Sequence, residues 1–368
     1  MIMREEILRI VSLIEDYRQD EKIILNEKRI EDWVNQFRAD DRFFLLTELI
    51  NIFEKRYFSK RKVLESMAAF INRVYIDFGY QNVCDFLSDS IFLSLQPENK
   101  SQSVLLKLLD DYLKNEFDFG LDKCGNKNNK HFIYLDDILC TGNTLYSNLI
   151  SWLNSLENKE SNLKRLLSGD INLIVCYLFL HNKNYQKTIN RLQLNLNIQQ
   201  LSEHIKFYRR IKIENSNEDS SALDFIFPVR TDISQVLQYE KKIVQEVDSY
   251  CKEHSYPLST DEFYRDAAKP AAEKLFTNKE NRIRFENIIL EKGIEIISKA
   301  SVNIKNMRAL GYDLPSHKNF GFGTLAFTYR NVPNNTPLVF WYAGGGFTPL
   351  FIKNATSQFN SYSAVLDI

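Results

Sequence analysis

The residues with the clearest capacity for chemistry lie in one thirteen-residue stretch, Phe132-Ile-Tyr-Leu-Asp-Asp-Ile-Leu-Cys-Thr-Gly-Asn-Thr144. A short apolar run rich in β-formers leads into two adjacent carboxylates, Asp136 and Asp137. Four residues after the second, Thr141-Gly142-Asn143-Thr144 reads as a turn into a helix. Carboxylates delivered by a buried strand to the carboxyl edge of a parallel sheet stand where ligands bind in such sheets. The turn supplies hydroxyls, a glycine that admits close backbone approach, and the unpaired N–H groups of a helix start, which together suit an anion. Carboxylates that accept hydrogen bonds from vicinal hydroxyls, beside an anion cradle, suit a phosphorylated sugar.

The flanking elements must position this pair. Ser90-Ile-Phe-Leu-Ser-Leu95 reads as a short strand and is followed by the polar loop Gln96 to Ser103. A helical stripe (Val104, Leu105, Leu108, Leu109, Tyr112) comes next. The motif strand starts at His131 and its helix runs from about Thr144 to Leu156. Ile171 to Leu180 is a ten-residue apolar run suited to a strand buried on both faces, and Asn184 to Leu192 reads as a helix. Strand and helix alternating in this way predict an α/β core with a parallel sheet flanked by helices. Before it, Ile7 to Phe78 carries apolar residues at helical spacing, which predicts three or four helices with Trp33 and Phe37 packed one turn apart. After it, Ile233–Tyr250 and Arg282–Ala300 read as helices. Thr324–Tyr329 and Leu338–Tyr342, separated by Asn331-Val-Pro-Asn-Asn-Thr-Pro337, read as a β-hairpin. The expected division is a helical block over 1–80, an α/β core over 81–230 and a helical and β-hairpin extension over 231–368.

Composition excludes several classes of function. Over 368 residues, 47 Lys and Arg balance 48 Asp and Glu for a formal charge of −1, so no global electrostatic grip on nucleic acid is expected. The five cysteines and five histidines are dispersed, without CxxC, HExxH or H-x-H. That is the pattern of free thiols in a reducing compartment and not of a disulfide framework or a zinc site. Acidic residues interrupt the apolar stripe of the N-terminus, unlike a signal peptide, and no apolar run reaches the 18 residues or so that span a bilayer. The expectation is a cytoplasmic protein with no membrane partner.

The segment 132–144 resembles the phosphoribosyl-pyrophosphate (PRPP) signature of type I phosphoribosyltransferases: four apolar residues, two acids, two apolar residues and a Thr/Gly loop closing on Thr. The resemblance implies that Asp136 and Asp137 bind the ribose hydroxyls and serve catalysis, and that Cys140, Thr141, Gly142, Asn143 and Thr144 wrap the 5′-phosphate. Cys140 departs from the usual small hydroxyl residue and Asn143 from the usual Gly or Ala. The second phosphate-binding loop of such proteins falls at Gln96–Ser103, where Lys100, Ser101 and Ser103 are available to pyrophosphate or its magnesium, but the usual basic-Gly arrangement is missing. A magnesium ion at Asp136 and Asp137 is the implied cofactor.

The flanks narrow the resemblance. A Trp and a Phe in an early helical block, the central motif, and the closing Asn334-Asn-Thr-Pro-Leu-Val-Phe-Trp341 and Thr348-Pro-Leu-Phe351 are similar to the PRTase-CE family. Those are phosphoribosyltransferase-like proteins of bacterial conflict systems, some encoded beside retron reverse transcriptases. What this implies is an anti-phage effector that binds PRPP or a related nucleotide and acts at C1′, with a reverse transcriptase and its nucleic acid as partners. Two alternatives stand beside it: a non-catalytic nucleotide-sensing or scaffold module, which the altered loop at 96–103 favours, and a nucleotide-salvage transferase.

Other features carry less. Gly344-Gly-Gly346 has no Lys-Ser or Lys-Thr partner and is not read as a phosphate loop. Phe207-Tyr-Arg-Arg210 is read as a solvated helix end rather than a nucleic-acid contact, and Lys60-Arg-Lys62 as a solvated helix start. Asp224, beside Phe225 and Phe227, lies where such proteins often frame the acceptor group.

Overall fold

The computed structural model describes residues 2–157, 159–216, 222–257, 263–300 and 304–353. The chain forms two compact units, one made of residues 1–59 with 214–368 and the other of residues 60–213.

The first unit opens with α1 (Ile2–Ile14), α2 (Glu27–Val34), α3 (Ala39–Arg56) and the two-residue strand β1 (Tyr57–Phe58). Asn26 caps α2 by accepting from Arg29 N at 3.1 Å. Trp33 and Phe37 pack as the helical spacing required, with ring centroids 4.8 Å apart.

Residues 60–213 build the α/β unit. It begins with α4 (Lys60–Asp77) and α5 (Val83–Ser88), continues as β2 (Ser90–Phe92), α6 (Ser101–Phe117), β3 (His131–Leu139) and α7 (Asn143–Asn154), and passes a small antiparallel pair, β4 (Leu156–Glu157) and β5 (Glu160–Ser161). It ends with α8 (Asn162–Ser168), β6 (Asn172–His181), α9 (Asn182–Leu196), α10 (Leu201–His204) and β7 (Ile205–Ile213). The sheet order is β2-β3-β6-β7 and every pairing is parallel. Along β6 all residues but Asn172 are buried, which explains its unbroken apolar run. The helix α4, counted from sequence with the N-terminal block, belongs to this α/β unit. It begins at Lys60, as the basic run at 60–62 suggested.

One expectation is corrected here. Phe207-Tyr-Arg-Arg210 does not end a helix; it lies within β7, and Arg209 and Arg210 are exposed. Among the described residues β7 pairs on one side only, and at such a sheet edge charged side chains replace the apolar alternation that would have marked a strand.

At the amino end of the sheet, a directional hydrogen-bond chain is buried. Tyr80 donates its single proton to Asp89 Oδ2 at 2.7 Å, so His131 Nε2, 3.0 Å from the same hydroxyl, is the donor to it. Asn172 Nδ2 then donates to His131 Nδ1 at 3.3 Å. His131 is thus a neutral imidazole, and burial lowers its pKa to about 4.

The chain returns to the first unit as α11 (Ser234–Glu253), α12 (Lys279–Lys299), β8 (Phe327–Thr328) and α13 (Leu338–Trp341). The expected hairpin over 324–342 does not form. β8 pairs in parallel with β1, Tyr57 opposite Phe327, and 338–341 is a helical turn. Its amides turn back on themselves, Phe340 N to Pro337 O at 3.0 Å and Tyr342 N to Leu338 O at 2.9 Å. Leu338, Val339 and Phe340 are all buried, whereas a half-solvated hairpin strand would bury alternate residues. Trp33 Nε1 donates to Val339 O at 2.7 Å across 306 residues of sequence. Asp224 also belongs to this unit, and its carboxylate is held by Arg56 at 2.7 Å.

A carboxylate pair and an open loop at the carboxyl edge of the sheet

The motif residues sit where β3 leaves the sheet. β3 runs through the acid pair to Leu139, pairing with β6 as far as Leu139↔Leu180, whereas β2 pairs only as far as Ile133. Asp136 and Asp137 therefore lie beyond the end of β2, on a strand still held by β6. Both are nearly enclosed, at 5% and 4% exposure.

Asp136 is the centre of a polar cluster. Its Oδ1 accepts from Ser101 Oγ at 2.8 Å and from the Asp137 amide at 2.9 Å. Its Oδ2 accepts from Gln96 Nε2 at 2.7 Å. Behind it, the Tyr134 hydroxyl accepts from Gln96 Nε2 at 3.0 Å and from Asn148 Nδ2 at 3.1 Å. Burial raises the Asp136 pKa, and the hydrogen bonds from Ser101, Asp137 and Gln96 oppose that rise. Burial and the neighbouring Asp136 charge likewise raise the Tyr134 phenol. Asp137 Oδ1 accepts from the Ile138 amide at 2.7 Å.

Two loops flank the pair and differ in how their amides are used. After β3, residues 140–142 bend into α7, with Gly142 in the left-handed region (φ +86°) as the N-cap. The N–H groups of Thr141, Gly142, Asn143 and Thr144 make no hydrogen bond among the described residues. A helix start leaves such donors unpaired unless a side chain or a ligand takes them. A Cβ at Gly142 would overlap Thr188 Oγ1 on α9, so glycine is required both by space and by φ. Cys140 and Thr141 are half-buried, and Asn143 and Thr144 are exposed.

After β2 the amides next to the strand are already taken, whereas the N–H groups of Ser101, Gln102 and Ser103 at the start of α6 make no hydrogen bond among the described residues. Gln102, fully buried on α6, reaches back so that its Oε1 accepts from Leu95 N at 2.8 Å and from Gln96 N at 3.1 Å. Lys100 N donates to Pro97 O at 3.0 Å. Ser103 Oγ is turned to the Glu98 and Lys100 carbonyls. The Lys100 side chain is exposed and makes no hydrogen bond or ion pair among the described residues.

Of the residues singled out from sequence, the structure thus brings together Asp136, Asp137, Ser101 and the loop Cys140–Thr144, and leaves Lys100 outside the cluster. Sequence reasoning missed Gln96, Gln102, Tyr134 and Asn148. It also missed Arg191 on α9, whose Nη1 donates to Asn143 Oδ1 at 3.1 Å. Tyr134 shares a strand face with Asp136 two residues on, which the period of β3 could have shown; the others act through contacts between loops and helices that spacing does not show.

For magnesium the fit is poor. Among the described residues no group of three or more His, Cys, Asp or Glu converges. Asp136 Oδ1 already accepts two hydrogen bonds and Oδ2 two more, from Gln96 Nε2 and, at 3.4 Å, from the Tyr134 hydroxyl, which a hard cation would have to displace.

A family model described as PRTase-CE matches residues 30–353. No curated protein matches the chain, and no solved structure does. Among the described residues no helix is long and apolar enough to cross a membrane.

Proposed function

From the premise that the chain belongs to the PRTase-CE family and is phosphoribosyltransferase-like, we propose that it binds PRPP or a related ribose 5-phosphate nucleotide at the carboxyl edge of its parallel sheet. The observation that carries this is the coincidence of two buried, adjacent carboxylates with four unpaired amides four to seven residues beyond the second of them. Phosphate oxygens accept from the Thr141–Thr144 N–H groups and hydroxyls, and the ribose hydroxyls donate to Asp136 and Asp137. Ser101, Gln96 and the Asp137 amide fix the Asp136 carboxylate in place before the sugar arrives, which spares the cost of ordering it on binding.

Chemistry at C1′ follows from such a pose. The bond from C1′ to the leaving pyrophosphate or base breaks with its electron pair on the leaving group. An acceptor lone pair then closes on C1′ and the acceptor gives its proton to solvent. The phosphate grip supplies remote binding energy that orients the anomeric carbon. Magnesium enters this reading as the counter-ion carried by pyrophosphate, held by phosphate oxygens and water.

A second reading, a nucleotide-binding module without turnover, is favoured by one observation: the amides of Leu95 and Gln96, placed to receive pyrophosphate, are consumed by Gln102. We extend both readings to anti-phage defence beside a retron reverse transcriptase on the resemblance alone.

The test is a thermal-shift titration with PRPP and ribose 5-phosphate. A ligand that binds only the folded state raises the melting temperature by mass action. Asp136→Asn with Asp137→Asn should abolish the shift and leave the unliganded protein folded. An unchanged shift in the double variant moves the site elsewhere. Pyrophosphate release from PRPP separates the two readings, and a phage challenge of cells carrying the same variant tests the wider role.

A further inference from the structure

We propose that Arg191 is a ligand to the phosphate of this site and gives it a preference for the phosphate dianion, an inference that rests on the reading above. The backbone cradle of Thr141–Thr144 is by itself neutral, and neither Lys nor Arg occurs between residues 131 and 158. The positive charge comes instead from α9.

Three observations place it. The Arg191 guanidinium lies over the Tyr146 ring, its carbon 3.7 Å from the ring centroid, and its Nη1 donates to Asn143 Oδ1 at 3.1 Å. Asn143 is the first residue of α7, and Tyr146 lies one turn further on, so the flat cation is laid along the first turn of the helix whose N–H groups form the cradle. Thr188, one turn before Arg191 on α9, is the residue that packs beneath Gly142. One face of α9 therefore backs the loop with Thr188 and rims it with Arg191.

The arrangement is built rather than incidental. Arg191 uses one of its five N–H groups on Asn143 and has no carboxylate partner among the described residues, which leaves four donors to offer an anion. An exposed arginine ordinarily samples many rotamers; stacking on Tyr146 and the bond to Asn143 hold this one in advance. It also accounts for Asn143 itself, which stands where phosphoribosyltransferase signatures usually carry Gly or Ala: a small residue there could not hold the guanidinium.

The experiment is isothermal titration with ribose 5-phosphate and with ribose, on the wild-type chain and on Arg191→Ala and Arg191→Lys. A charge-assisted contact to phosphate predicts that Arg191→Ala weakens ribose 5-phosphate about 10- to 100-fold. Arg191→Lys should recover only part of this, because an ammonium neither stacks flat nor forks. Two readouts separate a phosphate ligand from a structural prop. The wild-type affinity should rise from pH 5 to 7.5 as the phosphate loses its second proton near pH 6, and that rise should shrink in Arg191→Ala. Its salt dependence should flatten likewise. Unchanged affinity and pH profile in Arg191→Ala overturn the inference while the cradle reading stands. Wild-type protein that binds neither ribose 5-phosphate nor PRPP overturns both.

Discussion

The loops after β2 and after β3 hold corresponding places in the α/β unit: each leaves a parallel strand at its carboxyl end and enters the helix that follows. They are finished differently next to the strand. In the β3 loop a left-handed glycine and the packing of Thr188 leave four amides unpaired. In the β2 loop a single buried side chain, Gln102, takes two amides for itself. An exposed helix start gives its first amides to water, which an anion can replace. The difference between the loops therefore lies at their strand ends, where the β2 loop has two amides fewer to offer a ligand. Asp136 stands between them, tied to the β2 loop and α6 through Gln96 and Ser101.

The strongest way to break this contrast is at Gly142. Gly142→Val forces a β-branched residue to φ +86° and into Thr188. The expected result is loss of all ribose 5-phosphate binding and destabilisation by about 3 kcal/mol or more, read by calorimetry and urea unfolding. Next in size is Gln102→Leu. Two amides then lose their acceptor, and unfolding free energy should drop by about 2–4 kcal/mol. The same variant sharpens the comparison, since the released amides are open to an anion. PRPP should bind the wild-type chain within about tenfold of ribose 5-phosphate, because the two amides nearest β2 are already taken, and this ratio should grow in Gln102→Leu. A large wild-type preference for PRPP that does not change in Gln102→Leu would show that the amides at the start of α6 receive the pyrophosphate instead.

The smallest effect is at the other end of the sheet and serves as a control for both loops. Folded His131 titrates near pH 4 and the unfolded chain near 6.5. The unfolded state therefore takes up the proton first, and stability present above pH 6.5 is lost as the pH falls towards 4. Between pH 7 and pH 5 the wild-type chain should lose about 2 kcal/mol more than His131→Gln in urea unfolding.

The sequence made the β3 strand, its acid pair and the Gly142 loop legible because all three depend on residues within thirteen positions of one another. The charges of β7 concealed a strand, since a half-buried strand is read from apolar alternation and the consecutive, exposed Arg209 and Arg210 break it on both faces of this edge strand. The run 338–342 was misread for a related reason. Short apolar segments have no period long enough to separate strand from helix, and here the partner of β8 proved to be β1, some 270 positions away. Gln102 and Arg191 lay beyond reach for another reason: a glutamine in a helix and an arginine on a helix surface are ordinary until the neighbouring loop is known.

The split make-up of the first unit bears on how the protein emerges from the ribosome. All of residues 60–213 are synthesised in one stretch, so the sheet and both loops can assemble while the rest of the chain is still being made. Residues 1–59 are made before that stretch yet wait longer: Trp33 meets Val339, and β1 meets β8, only after the whole of residues 60–213 has been made. Throughout that interval Trp33, Phe53 and their neighbours lack the side chains that will enclose them, and they are the part of the nascent protein most in need of a chaperone.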